Sequence, residues 1–136
     1  MSNEPQTMTE TEDPPDSSWH HSAVDAVFRL GGLTANWDGY GSPPIKQAVL
    51  RKALALLDAI QNYDLPTPEI CPVTGGGIGI AWQKQTRELE VEILPDGSAE
   101  FLMVERQNKE EKTTEGSLPP DSTSAVQRLA TQFMNG

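Results

Sequence analysis

The spacing of apolar residues changes at Glu69, and this change restricts the fold more than any other feature of the chain. Between residues 43 and 62, apolar residues recur every three or four positions, as on one face of a helix. From Glu69 onward they alternate with polar ones, most clearly where glutamates separate Leu89, Val91 and Ile93. The sequence therefore predicts an α+β fold, with two N-terminal helices packed on one face of a four-stranded antiparallel meander.

Glycine and proline set the predicted strand boundaries. The run from Gly75 to Gly77 predicts a turn between the first two strands, and Pro95-Asp96-Gly97 is a typical hairpin turn before the fourth. Pro72 marks the first strand as an edge strand or a bulge, because proline cannot donate to a ladder. The four predicted strands cover about 69–73, 78–83, 88–93 and 99–105.

Three helices are predicted beside these strands. The first covers about 18–31. The second covers about 43–62, with the Ser42 hydroxyl as its cap and Pro43 in its first turn. The third, at 122–136, is a C-terminal amphipathic helix indicated by the spacing of Val126, Leu129, Ala130 and Phe133. That spacing leaves open whether this helix docks on the domain or on a partner.

Composition divides the chain into four regions. Residues 1–16 contain five acidic residues and no Lys or Arg, and are predicted to form a disordered acidic tail. Residues 17–105 form the α+β domain. Residues 106–121 read as a polar linker, and residues 122–136 as the C-terminal helix.

The net charge of −10 limits the choice of partners. No basic stripe is present to neutralise phosphates, so direct nucleic-acid binding is not expected, and the acidic balance favours a basic protein partner. No signal peptide and no apolar run of membrane-spanning length is visible, which predicts a cytoplasmic protein without membrane contact. Cys71 is the single cysteine and is expected to be a buried structural thiol. The sequence does not define an oligomeric state.

The stretch from Asn36 to Pro44 contains the residues that we single out as a binding site. Its Asp-Gly step predicts a turn, and Trp37 and Tyr40 flank that turn. One interpretation is a structural connector held down by two aromatics. The other is a rigid loop that recognises a partner through Trp37, Asp38 and Tyr40, since Trp and Tyr are enriched in binding hot spots. Trp82 would either support this loop or join its surface.

Catalytic and cofactor sites are not indicated. The Gly75–Gly79 run leads into a strand, whereas a dinucleotide loop leads into a helix, so no cofactor is expected. His20 and His21 are consecutive on a predicted helix and therefore diverge, so they are poorly placed to share a metal ion. Cys71 lies beside Pro72 in a predicted strand and lacks an activating context. A small enzyme that uses Asp38 in a pocket remains a third hypothesis.

The alternating glutamates of the third strand predict an acidic surface. Neighbours on one strand face lie about 6.5–7 Å apart, which is too far for a shared metal ion without help from another strand. We therefore predict no metal site. The acidic surface consists of Glu88, Glu90, Glu92 and Glu100.

Residues 18–104 resemble a family of small uncharacterised bacterial proteins. The resemblance rests on Asn-Trp-Asp-Gly-Tyr-Gly-Ser-x-Pro at 36–44, on a Gly-Gly-Gly-Ile-Gly-Ile-Ala-Trp hairpin and on a Leu-Glu-Val-Glu-Ile-x-x-Asp-Gly hairpin. It implies no specific activity. Proteins of this size and charge resemble antitoxins, immunity proteins and phage-defence inhibitors.

Two non-enzymatic hypotheses follow from the sequence. The first is a protein-binding module, antitoxin-like or immunity-like, that neutralises another protein through the loop around Tyr40. The second is an acidic mimic of nucleic acid, whose four glutamates occupy a phosphate-binding groove and whose binding depends steeply on salt.

Overall fold

The computed structural model describes residues 15–135, which form an α+β fold with three helices and a five-stranded antiparallel sheet. The strands pair in chain order, so the sheet is a meander whose edges are its first and last strands. The helices are α1 (Pro15–Leu30), α2 (Gln47–Ala59) and α3 (Thr123–Asn135); the strands are β1 (Glu69–Val73), β2 (Gly77–Lys84), β3 (Arg87–Ile93), β4 (Ala99–Gln107) and β5 (Glu110–Leu118). Of the predicted acidic tail, residues 1–14 lie outside the described part, and residues 15 and 16 begin α1.

The three helices lie on one face of the sheet and enclose an apolar core. α1 contacts β1, α2 contacts β2 and β3, and α3 contacts β3 and α2. Full burial of a large apolar side chain contributes about 1.5–3 kcal/mol. The largest fully buried side chains are Trp19, Trp82, Phe133, Leu57, Ile60, Ile78, Ile80, Leu89 and Ile93.

The prediction of two N-terminal helices on a four-stranded meander is wrong. α3 joins α1 and α2 in the helical layer: its Phe133 is fully buried, and Gln127 Nε2 donates to the Ala59 carbonyl of α2 at 2.9 Å. In the opposite direction, Lys52 of α2 donates from its Nζ to the carbonyl of Pro120, just before α3, at 2.8 Å. The sequence did not determine whether α3 docks on the domain or on another protein. In the structure it docks on the domain.

The fifth strand lies where the sequence predicts a polar linker. Every residue of β5 except Leu118 is exposed, so apolar alternation gives no signal for it. The backbone ladder to β4, complete from Gln107–Glu110 to Ala99–Leu118, holds the strand in place. Phe101 of β4 lies over Gly116, where an added Cβ would come within 3.1 Å of the ring. Glycine therefore lets this ring cover part of β5 on the helical side.

The α2 helix begins later than predicted, at Gln47. Pro43 and Pro44 restrict the residues before them, Ser42 and Pro43, to extended conformations. From Ser42 to Lys46 the chain has no helical turn, and Lys46 is itself extended with φ of −71° and ψ of 150°. Lys46 is the N-cap and provides no side-chain cap hydrogen bond. The Ser42 hydroxyl predicted to cap this helix instead bonds to Asp38 and to the Gly75 amide.

The second sheet face, opposite the helices, is open in the described residues. Register places Glu90 opposite Ala81 and Leu102 on this face. Cys71 pairs with Gly79 and is exposed, so the prediction of a buried thiol is wrong. Within residues 15–135, no helix has the length and the apolar character that crossing a membrane requires.

Candidate functional site

Residues 36–42, here called the Tyr40 loop, form a closed turn. Asn36 N donates to the Ser42 carbonyl at 2.7 Å, and Asn36 Oδ1 accepts from Gly41 N at 2.7 Å. Asn36 has a φ of 63°, in the left-handed region that asparagine tolerates better than most residues. Gly39 and Gly41 also have positive φ, at 77° and 85°. The loop conformation is thus encoded by Asn and Gly at the three positions that need it.

The Asp38 carboxylate lies inside this loop and accepts hydrogen bonds from it. Its Oδ1 accepts from Tyr40 N at 2.9 Å and from Ser42 N at 3.2 Å, and its Oδ2 accepts from Ser42 Oγ at 2.5 Å. The Ser42 hydroxyl, together with the two backbone amides and Thr74, lowers the pKa of Asp38 from 3.8 to about 2. Asp38 is therefore ionised at neutral pH, and its oxygens are occupied as structural acceptors.

Ser42 joins the Tyr40 loop to the glycine-rich turn between β1 and β2. Its side chain is buried at 3% exposure, and its Oγ accepts from Gly75 N at 2.9 Å while donating to Asp38. Beside it, a Cβ at Gly76 would meet the Pro43 ring at 3.4 Å. The two glycine-containing motifs of the sequence are thus parts of one structure.

Sequence reasoning missed the roles of Ser42, Thr74 and Gly75 in this site. Gly75 is 33 residues from Ser42, and no local pattern indicates such a pairing. The available signal was indirect: a glycine-rich turn has backbone amides that need acceptors. The buried hydroxyl of Ser42 satisfies one of them.

The two aromatic residues of the loop have different environments. Trp37 is half-buried, and its Nε1 donates to the Pro43 carbonyl at 2.8 Å, so the indole braces the loop from within. Tyr40 lies between the two positive-φ glycines, and its side chain is 86% exposed. Of the predicted anchors, Trp37 and Asp38 hold the loop together and Tyr40 projects from it.

Trp82 lies in the core and does not support the loop surface. It is 2% exposed and packs edge-on against Trp19 of α1, with ring centroids 6.2 Å apart. The Tyr40 loop contacts the turn before Gly77, and Trp82 lies five residues further along β2, roughly 16 Å away at the rise of a strand. The sequence interpretation of Trp82 as a binding residue is therefore not supported by its position.

The four predicted glutamates do share the open sheet face. Glu92 lies directly opposite Glu100, while Glu88 and Glu90 lie opposite Val104 and Leu102. The register adds acidic residues on β1 and β5 that the sequence analysis did not include. Together these carboxylates form the surface here called the acidic face: Glu69, Glu88, Glu90, Glu92, Glu100, Glu111 and Glu115.

One cation offsets part of this charge. Arg106 projects from β4 onto the acidic face, where its Nη1 lies 3.2 Å from Glu88 Oε2 and its Nε 3.1 Å from Glu111 Oε2. The hydrogen bond and attraction from Glu88 raise the pKa of Arg106, with a smaller contribution from Glu111. Next to this ion pair, a groove of about 410 Å³ runs past Ala81, Leu102 and the neighbouring glutamates. Among residues 15–135 no three His, Cys, Asp or Glu side chains are grouped closely enough to hold a metal ion.

Comparison of the chain with protein-family models, with curated proteins and with solved structures finds no match. A proposed function therefore has to rest on the geometry of the Tyr40 loop and of the acidic face.

Proposed function

We propose that the protein is a non-enzymatic binding module that engages another protein through the Tyr40 loop, as an inhibitory or neutralising partner. One observation supports this most directly. A tyrosine that is 86% exposed stands at the tip of a loop whose backbone and acidic side chain are fixed by hydrogen bonds. Tyrosine offers a large amphipathic contact area with few rotatable bonds, and is enriched in binding hot spots.

The loop's internal hydrogen bonds matter for the affinity of such a site. Ordering a flexible side chain on binding costs about 0.5–1.5 kcal/mol, and ordering a loop adds to that cost. Asp38, Ser42 and Trp37 already hold the loop in the free protein, so a partner would not need to supply that energy. This arrangement favours recognition over a purely connecting role, because a connector does not need an exposed aromatic tip.

The test is affinity capture from the native host with wild type and two single variants. Phe28→Ala is the matched control, since Phe28 is the other large apolar or aromatic side chain that is strongly exposed in the described residues, at 65%. We expect Tyr40→Ala to reduce capture of the principal partner by tenfold or more, in line with a hot-spot loss of about 2 kcal/mol. Phe28→Ala should capture that partner as wild type does. Equal capture by the wild type and both variants would contradict the proposal.

A second candidate function uses the acidic face. Seven carboxylates and one guanidinium on an uncovered sheet face favour a mimic of nucleic acid that occupies a phosphate-binding groove. In the same capture experiment, such a partner would be lost from Glu90→Gln/Glu100→Gln, would be kept by Tyr40→Ala, and would elute as salt rises because exposed charges are screened. A complex that is unchanged in about 1 M salt would count against this candidate, since the Debye length there is about 3 Å.

A further inference from the structure

The backbone of β5 has an unpaired edge whose hydrogen-bonding residues can be identified. β4 and β5 are joined by the two residues Asn108 and Lys109, which have φ of 52° and 71°. In such a two-residue hairpin the flanking pair, here Gln107 and Glu110, is hydrogen-bonded, and bonded pairs then recur at every second residue. The even-numbered residues of β5 therefore bond to β4.

The odd-numbered residues of β5 direct their N–H and C=O groups away from β4. A hydrogen bond on the other side of β4 supports this alternation. Arg106 N donates to the Thr86 carbonyl, so the backbone of Arg106 faces away from β5, and the odd-numbered residues on either side of it face β5. In the part of the chain that the structure describes, β5 backbone groups have hydrogen-bond partners only within the β4–β5 ladder. The free edge is formed by Glu111, Thr113, Glu115 and Ser117.

The two edges of the sheet differ in their capacity to accept another strand. β1 has only five residues, contains Pro72 and is contacted by α1. β5 has nine residues and no proline, and all of its residues except Leu118 are exposed. An edge of this kind is a template for strand addition, which is a common way to bind an extended peptide.

The charge around β5 indicates which peptide fits. The odd-numbered residues that offer backbone groups also have side chains on the acidic face. Glu111 lies opposite Arg106 and pairs with its guanidinium, whereas Glu115 lies opposite Leu102 and makes no ion pair in the described residues. A strand added there would place every second side chain next to these carboxylates. Lysine or arginine at alternate positions would complement them, while like charges directly opposite would destabilise the pair.

The same charge disfavours occupants from this chain. A second copy paired through its own β5 about a two-fold axis would set two acidic faces side by side. Residues 1–14 contain four acidic residues and no Lys or Arg, so they offer no complementary charge. We propose that the β5 edge binds an extended segment of another protein with basic residues at alternate positions, added antiparallel to β5 as a sixth strand. This surface is separate from the Tyr40 loop and does not depend on the function proposed for it.

Thr113 provides the variant that tests the edge. Its N–H points outward, so Thr113→Pro removes one edge donor without removing a ladder bond to β4, as proline on edge strands does. Thr113→Ala is the matched control that keeps the N–H. The probe is an eight-residue synthetic peptide of alternating lysine and valine, acetylated and amidated at its ends, and binding is followed by amide chemical shifts of the labelled protein. We expect Thr113→Pro to weaken binding about tenfold and Thr113→Ala to change it less than about twofold.

Modified peptides test the same geometry on unchanged protein, should Thr113→Pro fail to fold. In an antiparallel pair, directly opposite residues that exchange hydrogen bonds share one face. The lysines on the acidic face are therefore the residues whose N–H groups meet β5. N-methylation of the lysine amides should therefore abolish binding, whereas N-methylation of the valine amides should not change it. A peptide with glutamate in place of lysine should not bind.

Several outcomes would overturn the proposal. Equal binding of the two N-methylated peptides would mean that charge alone attracts the peptide. A wild-type dimer that Thr113→Pro dissociates would assign the edge to a second copy. If the lysine peptide does not bind to wild type, the edge does not accept a basic strand, and the charges of β5 serve only to prevent edge pairing. Retained binding in Thr113→Pro would remove the edge backbone from the interaction.

Discussion

Ser42 shows at the scale of one residue how a sequence motif acquires a role that its neighbours do not specify. A serine before proline is a common helix start, and the sequence predicts that role. In the structure its hydroxyl is buried and is shared between the Asp38 carboxylate and the Gly75 amide. The turn around Asp38 and Gly39 was predictable from local chemistry, whereas the partner 33 residues away was not, because no periodicity links the two segments.

The low pKa of Asp38 predicts how stability depends on pH. The pKa is about 2 in the folded protein and 3.8 without the loop contacts, so above about pH 4 both states are ionised and the full stabilisation is present. As the pH falls from about 4 to about 2, the unfolded state binds a proton before the folded state does, and stability is lost. Urea unfolding across this range should show a steeper decline for wild type than for Asp38→Asn.

Asp96 offers a matched control for this prediction. Its pKa is also lowered, by hydrogen bonds from Ser98 in the β3–β4 turn, but within residues 15–135 that hydroxyl makes no hydrogen bond to a second loop. Asp96→Asn should therefore flatten its own part of the pH dependence and leave the Tyr40 loop unchanged in amide chemical shift. A wild-type profile identical to that of Asp38→Asn would show that the Asp38 hydrogen bonds are not formed in solution.

At the scale of elements, the accuracy of the sequence predictions followed the strength of the apolar pattern. β3 was predicted well because Leu89, Val91 and Ile93 are buried on a clear two-residue period. β5 was missed because its stability comes from backbone pairing and from Phe101 over Gly116, neither of which produces such a pattern. The start of α2 was misplaced because the Ser42 hydroxyl bonds to Asp38 and Gly75 and does not cap the helix, and the N-cap is Lys46.

The docking of α3 predicts a large cost for truncating its central aromatic residue. Phe133 is fully buried in the core. Phe133→Ala should therefore lower the free energy of unfolding by about 3–5 kcal/mol, through lost burial and the cavity that remains. Gln132→Ala, at the adjacent exposed position, should change it by less than about 0.5 kcal/mol. Chemical denaturation of the full chain measures both. Equal stability of the two variants would mean that α3 does not pack on the domain in solution.

At the scale of the whole molecule, the fold separates a sheet face covered by helices from an open acidic face. Three helices cover one sheet face, and the other face presents its carboxylates to solvent within the described residues. The alternation of glutamates in β3 had indicated such an acidic surface from sequence. The sequence could not predict that the open face continues onto a fifth strand, or that the Tyr40 loop is joined to the turn at the Gly77 end of β2.

Photo-cross-linking from position 40 tests the proposed role of the loop most directly. A photoreactive phenylalanine analogue replaces Tyr40 in one variant and Phe28 in a second, since both side chains are strongly exposed. After irradiation in the native host, the variant at position 40 should give one discrete cross-linked protein that the variant at position 28 does not give. The same cross-linked species from both positions, or none from position 40, would contradict recognition through the Tyr40 loop.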